Sequence, residues 1–334
     1  MYTNNFEKDF FWDEVKKARR IGISAHVRPD GDAISSCLAM YDYITDNYNK
    51  DGAKTVDIFS MDFSEKFLIM KNSDKFITND DYKEPYDLFI VLDCGSIDRV
   101  YADEKIVNGA GEVFLFDHHV SNTGFAKYQV INSESASTTE LIFDYFDEDK
   151  ISKDCAIALY MGIIHDTGVF KHTNTTERTM VVAGKLLSIG KFNQEELIDG
   201  TFYAKSYKEN QILGRALMES IMLANGKIIV SWLNRKIMDF YGVESKNLEG
   251  IIDQLRVTDG VEVAIFIYET ADLEYKISMR SNGVVDVAKT AVFFGGGGHV
   301  KAAGCTMRGQ LHDCINNLTL GICHQLEEHG VKID

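Results

Sequence analysis

Features typical of membrane, secreted or long nucleic-acid-binding proteins are missing from this 334-residue sequence. No apolar run approaches the roughly 20 residues that a transmembrane helix needs, and the opening MYTNNFEKDF lacks the basic start and apolar centre of a signal peptide. The net charge of −16 offers no basic surplus for gripping long DNA or RNA. We therefore predict a cytoplasmic protein with no membrane association, no long duplex nucleic acid as a partner, and a short substrate if that substrate is a nucleic acid.

Paired cysteines are also missing. The six cysteines are scattered and include no C-x-x-C pair, which argues against a disulfide framework. A zinc site could be imagined near the C-terminus from Cys314, Cys323, His324 and His329. However, leucine and isoleucine recur at helical spacing over 311–326, which favours a core helix there.

The length and the 45% hydrophobic content predict about two domains with substantial cores. Short apolar runs that read as strands alternate with helical patterns in the first half, which indicates a mostly parallel sheet; the runs are 21–26, 55–59, 88–92 and 113–116. The predicted fold class is α/β, with this N-terminal sheet flanked by helices, a helical linker and a smaller C-terminal α+β domain. The predicted bounds are 1–190, 191–215 and 216–334, and no strand is predicted between 185 and 223.

Acids and histidines follow four apolar runs of the first half. In chain order they are His26, Asp30 and Asp32; Asp93; Asp117, His118 and His119; and Asp166. Any one acid could be a helix cap or a turn residue. If the strands are neighbours, however, four carboxylates converge on one sheet edge and repel each other unless cations balance them. Two divalent cations would do so, with His26 and His118 as neutral nitrogen ligands, and this mixed ligation favours Mn²⁺, with Mg²⁺, Co²⁺ or Fe²⁺ as alternatives.

These motifs resemble the DHH phosphoesterase family. The order H-x-x-P-D-G-D, strand-Asp, D-H-H and D-T-G occurs in residues 21–36, 88–99, 113–122 and 161–170. The C-terminal GGGGHVKAAG at 295–304, preceded by SMRS at 278–281, resembles the DHHA1 domain that accompanies it. The resemblance therefore spans nearly the whole chain.

The resemblance implies a role for each matching residue. One metal would be held by His26, Asp30 and Asp93, and the other by Asp32, Asp93, His118 and Asp166. The catalytic residues would be His119, Asp93 and Asp117: His119 faces the substrate phosphate, Asp93 bridges the metals, and Asp117 orients a ligand histidine.

Substrate binding is predicted mainly for the second domain. There the resemblance implies that Arg280, Ser281 and His299 bind the nucleotide or its terminal phosphate. The backbone N–H groups at Gly296, Gly297 and Gly298 would approach the same phosphate, as oriented amides do in anion nests. In the first domain, Arg99 either contacts a phosphate or makes a surface ion pair.

The resemblance implies hydrolysis of phosphate esters by a hydroxide that bridges two metals. A chain with these two domains alone is similar to family members that cut short RNA oligonucleotides to 5′-mononucleotides and convert 3′-phosphoadenosine 5′-phosphate (pAp) to AMP. The alternative is a phosphodiesterase for cyclic di-AMP or its linear product pApA. A non-catalytic nucleotide sensor belongs to a different class. The preferred substrate stays open at this point, as does the choice between a monomer and a homodimer.

Overall fold

The chain forms two compact units that divide after Ala204, and the computed structural model describes residues 2–333. Each unit has its own sheet and its own apolar cores. The predicted α/β class, with a larger parallel-rich sheet and a smaller second sheet, is confirmed. The predicted linker at 191–215 stays a prediction. Within residues 2–333, none of the helices combines the length and the apolar composition that a bilayer crossing requires.

Seven strands form the sheet of the first unit. They are β1 (Tyr2–Asn4), β2 (Arg20–Ser24), β3 (Thr55–Phe59), β4 (Phe76–Ile77), β5 (Leu88–Leu92), β6 (Glu112–Asp117) and β7 (Tyr128–Asn132). They lie side by side in the order β1-β7-β6-β5-β2-β3-β4. Neighbouring strands are parallel except for β1 and β7, which are antiparallel.

Helices and a π-helical turn complete the first unit. The helices are α1 (Lys8–Lys17), α2 (Gly31–Tyr48), α3 (Glu104–Asn108), α4 (Thr138–Phe143), α5 (Lys153–Asp166), α6 (Glu177–Gly190) and α7 (Gln194–Ile198), and the turn is Asp199–Tyr203. Strand β5 reads Leu-Phe-Ile-Val-Leu and is buried along its whole length. Alternate side chains of β5 enter two separate cores, one on each face of the sheet. This burial explains why the strand has a continuous apolar sequence rather than an alternating one.

The strand order places a topological switch point between β2 and β5. From β2 the chain continues outward on one side through β3 and β4, and from β5 it continues on the other side through β6 and β7. Ser24 pairs with Val91, and Leu92 pairs with Phe116, so β2, β5 and β6 end close together at their carboxyl ends. Open α/β sheets bind ligands at such a position. The predicted convergence of the first-half motifs follows from this arrangement.

The second unit is built on a six-stranded sheet. Its strands are β8 (Ile221–Leu223), β9 (Ile228–Leu233), β10 (Val263–Ala271), β11 (Glu274–Ser281), β12 (Gly297–His299) and β13 (Ala302–Arg308). Their order is β12-β13-β11-β10-β9-β8, and β9 and β10 form the parallel pair. The helices are α8 (Tyr207–Met218), α9 (Arg235–Tyr241), α10 (Ile251–Arg256), α11 (Val287–Phe293) and α12 (Leu311–Glu328). One core contains residues of α11 and α12, and the other contains residues of α8, α9 and α10.

Two local predictions for the second unit are wrong, and one is confirmed. Strand β8 lies in a segment for which no strand was predicted. It has three residues on the sheet edge, too few to produce a readable alternation. The glycine run at 295–298, between two predicted helices, is predicted from its sequence to be a loop, but part of it forms β12. The predicted core helix is confirmed as α12, in which Cys314 is buried among apolar side chains.

Gly162 allows α5 to pack closely against α2 and α4. A Cβ atom at this position would lie 2.4 Å from Asp32 Oδ1 and 2.3 Å from Thr139 Oγ1. We expect Gly162→Ala to destabilise the first unit by about 1–3 kcal/mol through overpacking and to displace the Asp32 carboxylate. Thermal unfolding of the metal-free protein measures the loss. Gly184 in α6 provides a matched control because an added Cβ there meets nothing within 4 Å. Gly184→Ala should instead stabilise by about 0.5–1 kcal/mol, and equal effects of the two substitutions would contradict the packing argument.

Candidate metal centre

The carboxyl edge of the first sheet brings together the six predicted metal ligands, His26, Asp30, Asp32, Asp93, His118 and Asp166. Ligand atoms lie within 4.8 Å of one another in three overlapping groups. The first group is His26, Asp30 and Asp93; the second is Asp32, His118 and Asp166; the third is Asp93, His118 and His119. The residues come from the ends of β2 and β5, the turn after β6, the start of α2 and the end of α5. No single segment of the chain could supply this set.

The first group is arranged around the His26 imidazole, which is 6% exposed. His26 Nδ1 lies 2.9 Å from the Val27 carbonyl oxygen, which directs the other ring nitrogen toward the acids. His26 Nε2 lies 3.5 Å from Asp93 Oδ2 and 3.8 Å from Asp30 Oδ2. Asp30 is also the N-cap of α2, and its Oδ1 accepts hydrogen bonds from the N–H groups of Asp32 and Ala33. One Asp30 oxygen therefore caps the helix while the other faces His26.

The second group joins His118 to Asp32 and Asp166. His118 Nε2 lies 2.9 Å from Asp166 Oδ2, and its Nδ1 lies 3.3 Å from the Ser135 carbonyl oxygen. The Asp32 carboxylate is fully buried. It accepts three hydrogen bonds from the start of α4, two from the N–H groups of Thr138 and Thr139 and one from the Thr139 hydroxyl. These donors fix the carboxylate without removing its charge.

Asp93 lies between the two groups. Its Oδ2 faces His26, whereas its Oδ1 is 3.6 Å from His118 Nε2. The Asp93 backbone is in the left-handed region, with φ at +52°, a conformation that Asp tolerates better than most residues. Its N–H donates to the Phe116 carbonyl oxygen, so the residue still follows the line of β5. This position allows one carboxylate to serve both groups.

The electrostatics of the cluster favour added positive charge. Burial raises the pKa of Asp32 well above its ordinary value, and Asp93 and Asp166 raise it further. Burial lowers the pKa of His26 and His118, but the combined effect of the neighbouring acids, chiefly Asp93 for His26 and Asp166 for His118, outweighs burial and raises these pKa values to about 9 and about 10. In the described part of the chain, no lysine or arginine pairs with these acids. A buried set of carboxylate oxygens and imidazole nitrogens without basic partners fits divalent cations.

Asp117 makes a contact that differs from the sequence prediction. The prediction assigned it to orient a ligand histidine, but His119 Nδ1 donates to Asp117 Oδ1 at 2.7 Å, whereas His118 faces the Ser135 carbonyl. Asn122 donates to the other Asp117 oxygen at 2.6 Å. Asp117 is the last residue of β6, so the sequence alone does not fix which of the two following histidines its side chain contacts, and its orienting role stays a prediction. The bond to Asp117 raises the pKa of His119.

Arg99, the predicted substrate contact of the first unit, is exposed near the cluster. The Val27 N–H donates to the Arg99 carbonyl oxygen at 2.7 Å, which connects the chain after β5 to the turn that follows His26. Within residues 2–333, the Arg99 guanidinium makes no ion pair. Among the described residues the surface ion pair considered from the sequence is not formed, and the phosphate contact of Arg99 stays a prediction.

The predicted substrate residues of the second unit lie on neighbouring strands. Ala302 pairs with Arg280 on one side and with His299 on the other. Directly opposed residues of antiparallel strands share a face of the sheet, so Arg280 and His299 lie on the same face, one on each side of Ala302. Because two strand spacings separate them, their backbones are about 10 Å apart. The Ser281 hydroxyl is buried without a hydrogen-bond partner among the described residues. Arg280 Nε is 3.6 Å from Asp253 Oδ1.

The glycine run adopts backbone geometry that side chains would block. A Cβ at Gly296 would lie 2.2 Å from the Gly304 carbonyl oxygen. Gly298 has φ at +144°, and a Cβ there would lie 2.5 Å from the Ala302 carbonyl oxygen. Gly297 has no such restriction, since an added Cβ meets nothing within 4 Å. Two of the three predicted glycines are therefore required by the close approach of β13.

Sequence reasoning missed the segment 135–139, Ser-Ala-Ser-Thr-Thr, which contacts Asp32, Asp93 and His118. Its sequence is typical of a helix start, and Ser137 is indeed the N-cap of α4. Small polar residues at a helix start look the same whether or not they also bind a distant carboxylate. The one available signal is the density of hydroxyl residues, which exceeds what a cap requires.

Comparisons with known proteins agree with this architecture. The DHH family N-terminal domain matches residues 20–163, and the DHHA1 domain matches residues 225–319. The chain is 30% identical over 302 residues to the bifunctional oligoribonuclease and PAP phosphatase NrnA of Thermus thermophilus, covering 89% of this chain and 87% of that protein. Identity to the Bacillus subtilis protein of the same name is 25% over 287 residues, covering 84% and 87%.

A solved structure shares the fold. The crystal structure of an exopolyphosphatase-related protein from Bacteroides fragilis superposes with a TM-score of 0.83 at 24% identity, covering 94% of this chain and 95% of that one. Fold, site and matches together define a hydrolase that acts on phosphate esters. The chain belongs to the DHH phosphoesterase family, with the DHH domain in the first unit and the DHHA1 domain in the second. Phosphoesterases of this family are metal-dependent, and the cluster supplies groups that can bind metal.

Metal binding should stabilise the protein in a way that depends on Asp93. At free Mn²⁺ about 100-fold above Kd, binding contributes about 2.7 kcal/mol, which raises the melting temperature by about 5–10 °C. Differential scanning fluorimetry of the metal-free protein with and without Mn²⁺ measures the shift. Asp93→Ala should lose most of the Mn²⁺-dependent shift in melting temperature. Asp149→Ala, which removes an exposed acid that is not one of the proposed ligands, should keep the shift. The same shift in both variants would mean that Mn²⁺ binds elsewhere.

Proposed function

We propose that this protein hydrolyses short RNA oligonucleotides to 5′-mononucleotides and pAp to AMP. The observation that carries the proposal is the convergence of four acids and two histidines at the switch point of the first sheet. The names of the Thermus and Bacillus relatives, which cover most of the chain, point to this substrate class. The acidic total charge agrees with a short substrate.

In this proposal the six ligands hold two divalent cations. His26, Asp30 and Asp93 bind one, Asp32, Asp93, His118 and Asp166 bind the other, and Asp93 serves both. Mixed imidazole and carboxylate ligation suits Mn²⁺, with Mg²⁺ or Co²⁺ as alternatives. The chemistry that such a pair supplies is polarisation of the phosphoryl group and activation of water near neutral pH. Arg99, free of ion pairs near the same edge, adds positive charge for the phosphoryl oxygens.

His119 is the proposed proton donor to the nucleotide oxygen that leaves when the ester bond to phosphorus breaks. Its Nδ1 is engaged by the buried Asp117, so Nε2 is the ring nitrogen left for the substrate. Asp117 is held in turn by Asn122. A carboxylate behind an imidazole fixes the ring and favours its protonated form, as a general acid requires.

The DHHA1 domain is the proposed nucleotide-binding unit. Arg280 and His299 share a face of the sheet, and an arginine there can bind a phosphate through two parallel hydrogen bonds. The Ser281 hydroxyl has hydrogen-bonding capacity that the described residues leave unused. Gly296, Gly297 and Gly298 carry no side chains, so an anionic ligand can approach the backbone of this run closely, although the Gly296 N–H already donates to the Ala291 carbonyl oxygen.

A rate comparison tests the proposed substrates. We expect Mn²⁺-dependent hydrolysis of pAp and of RNA of two to five nucleotides to exceed hydrolysis of cyclic di-AMP, and pApA, itself an RNA dinucleotide, to be cut no faster than other dinucleotides. Asp93→Ala should reduce all of these rates at least about 100-fold. Product release followed by chromatography provides the measurement. Cyclic di-AMP as the fastest substrate, or pApA cut much faster than every other dinucleotide, would favour the phosphodiesterase alternative. Nucleotide binding without turnover in Mn²⁺, Mg²⁺ or Co²⁺ would favour a sensor and reject the enzyme.

The adjacent histidines His118 and His119 should behave differently when each is replaced. His118→Ala removes a proposed ligand and should lower metal occupancy, measured by inductively coupled plasma mass spectrometry after dialysis. His119→Ala should keep the metals bound and reduce kcat about 10²- to 10⁴-fold through loss of proton transfer. His324→Ala, at an exposed position of α12, is the matched control and should change neither quantity. Metal loss in both active-site variants would refute the division of roles.

A further inference from the structure

The start of α4 and the residues before it contact three of the proposed metal ligands at once. The Ser135 carbonyl faces His118, the N–H groups of Thr138 and Thr139 bond Asp32, and the Thr138 hydroxyl donates to Asp93 Oδ1 at 3.0 Å. Those three ligands lie in different parts of the chain. The segment 135–139 therefore acts as a common support for side chains that the sheet alone only brings near one another.

Asp32 and Asp93 depend on this support to different degrees. Asp32 accepts three hydrogen bonds from Thr138 and Thr139, two of them from backbone N–H groups that every substitution except proline leaves in place. Loss of a single hydroxyl would leave its carboxylate held. Asp93 receives a side-chain bond from Thr138, and its other close donors are the imidazoles of His26, His118 and His119.

Those imidazoles cannot hold Asp93 when metals are bound. A ring nitrogen that coordinates a cation uses its lone pair for the metal and carries no proton to donate. With His26 and His118 as ligands and His119 bonded to Asp117, the Thr138 hydroxyl is the remaining side-chain donor to Asp93 in the described part of the chain. Thr138 is itself fully buried, so water does not replace it readily.

We propose that Thr138 is a positioning residue that sets the rotation of the Asp93 carboxylate. Its bond to Oδ1 keeps that oxygen on the side of His118 and leaves Oδ2 on the side of His26. One carboxylate can then serve both metal positions with one oxygen each. The inference rests on the proposed function, because it assumes that Asp93 is shared by two cations.

The test compares Thr138→Val with Thr138→Ser in the full-length, metal-free protein. Valine keeps the shape and the backbone bond to Asp32 but removes the hydroxyl, whereas serine keeps the hydroxyl. Titration with Mn²⁺ followed by electron paramagnetic resonance measures how many ions bind, how tightly, and whether they couple magnetically. Thr290→Val, which removes another buried threonine hydroxyl from the second unit, is the matched control.

We expect Thr138→Val to bind Mn²⁺ about 10- to 100-fold more weakly at one or both positions and to lose the coupled signal. Thr138→Ser and Thr290→Val should stay within about threefold of wild type. The kcat for pAp should fall in Thr138→Val alone, at Mn²⁺ concentrations that saturate the wild type.

Several outcomes would overturn the inference. Unchanged Mn²⁺ affinity and coupling in Thr138→Val would show that Asp93 needs no hydroxyl. Equal losses in the serine and valine variants, or failure of the valine variant to fold while serine binds weakly, would assign Thr138 a general packing role. Failure of the proposed function is distinguishable, because the wild-type protein itself would then bind no pair of ions and release no AMP.

Discussion

The structure of the first unit depends on an unfavourable electrostatic arrangement. Two carboxylates, Asp32 and Asp93, are buried at one edge of the sheet, beside the carboxylates of Asp30 and Asp166. A buried charge without partners costs several kcal/mol. Backbone N–H groups and threonine hydroxyls at the start of α4 meet part of that cost. The imidazoles of His26 and His118 meet another part of the cost, because the raised pKa values of these rings favour their positively charged form beside the acids. The edge is therefore stable only if positive charge, as protons or as metal ions, is present.

The doubly wound topology makes this arrangement possible. At the switch point between β2 and β5, the two connecting loops run in opposite directions and leave space between them. His26 follows one of these strands and Asp93 the other. The third neighbouring strand, β6, ends in Asp117 and is followed by the two histidines. Helices α2, α4 and α5 close the site from the side, and the close approach of α5 is possible because position 162 is glycine.

The sequence predicted those features that depend on strand ends, because a continuous apolar run identifies a buried parallel strand and the polar residue after it marks the edge. His26, Asp93 and His118 were placed in this way, and the structure brings them together. Features that depend on side-chain direction were less predictable. The sequence does not show which histidine Asp117 contacts, and the density of hydroxyl residues at 135–139 is only a weak sign of the contact between Thr138 and Asp93, because hydroxyl residues at a helix start are expected as caps. Strand β8 was missed because three edge residues carry no periodic signal.

The chemical type of the supporting donors also has a consequence for function. Lysine or arginine beside Asp32 or Asp93 would stabilise the metal-free protein better than a hydroxyl does, but each would neutralise a charge that a cation needs. Hydroxyl and amide donors orient a carboxylate and leave its full negative charge in place. The described residues follow this pattern: hydroxyl and amide groups donate to the buried acids, and no lysine or arginine among residues 2–333 pairs with them. The metal-free protein is therefore less stable than it would be with basic partners for these acids, but the acids keep the charge that binds a cation. This requirement explains why the carboxylates are buried without such partners.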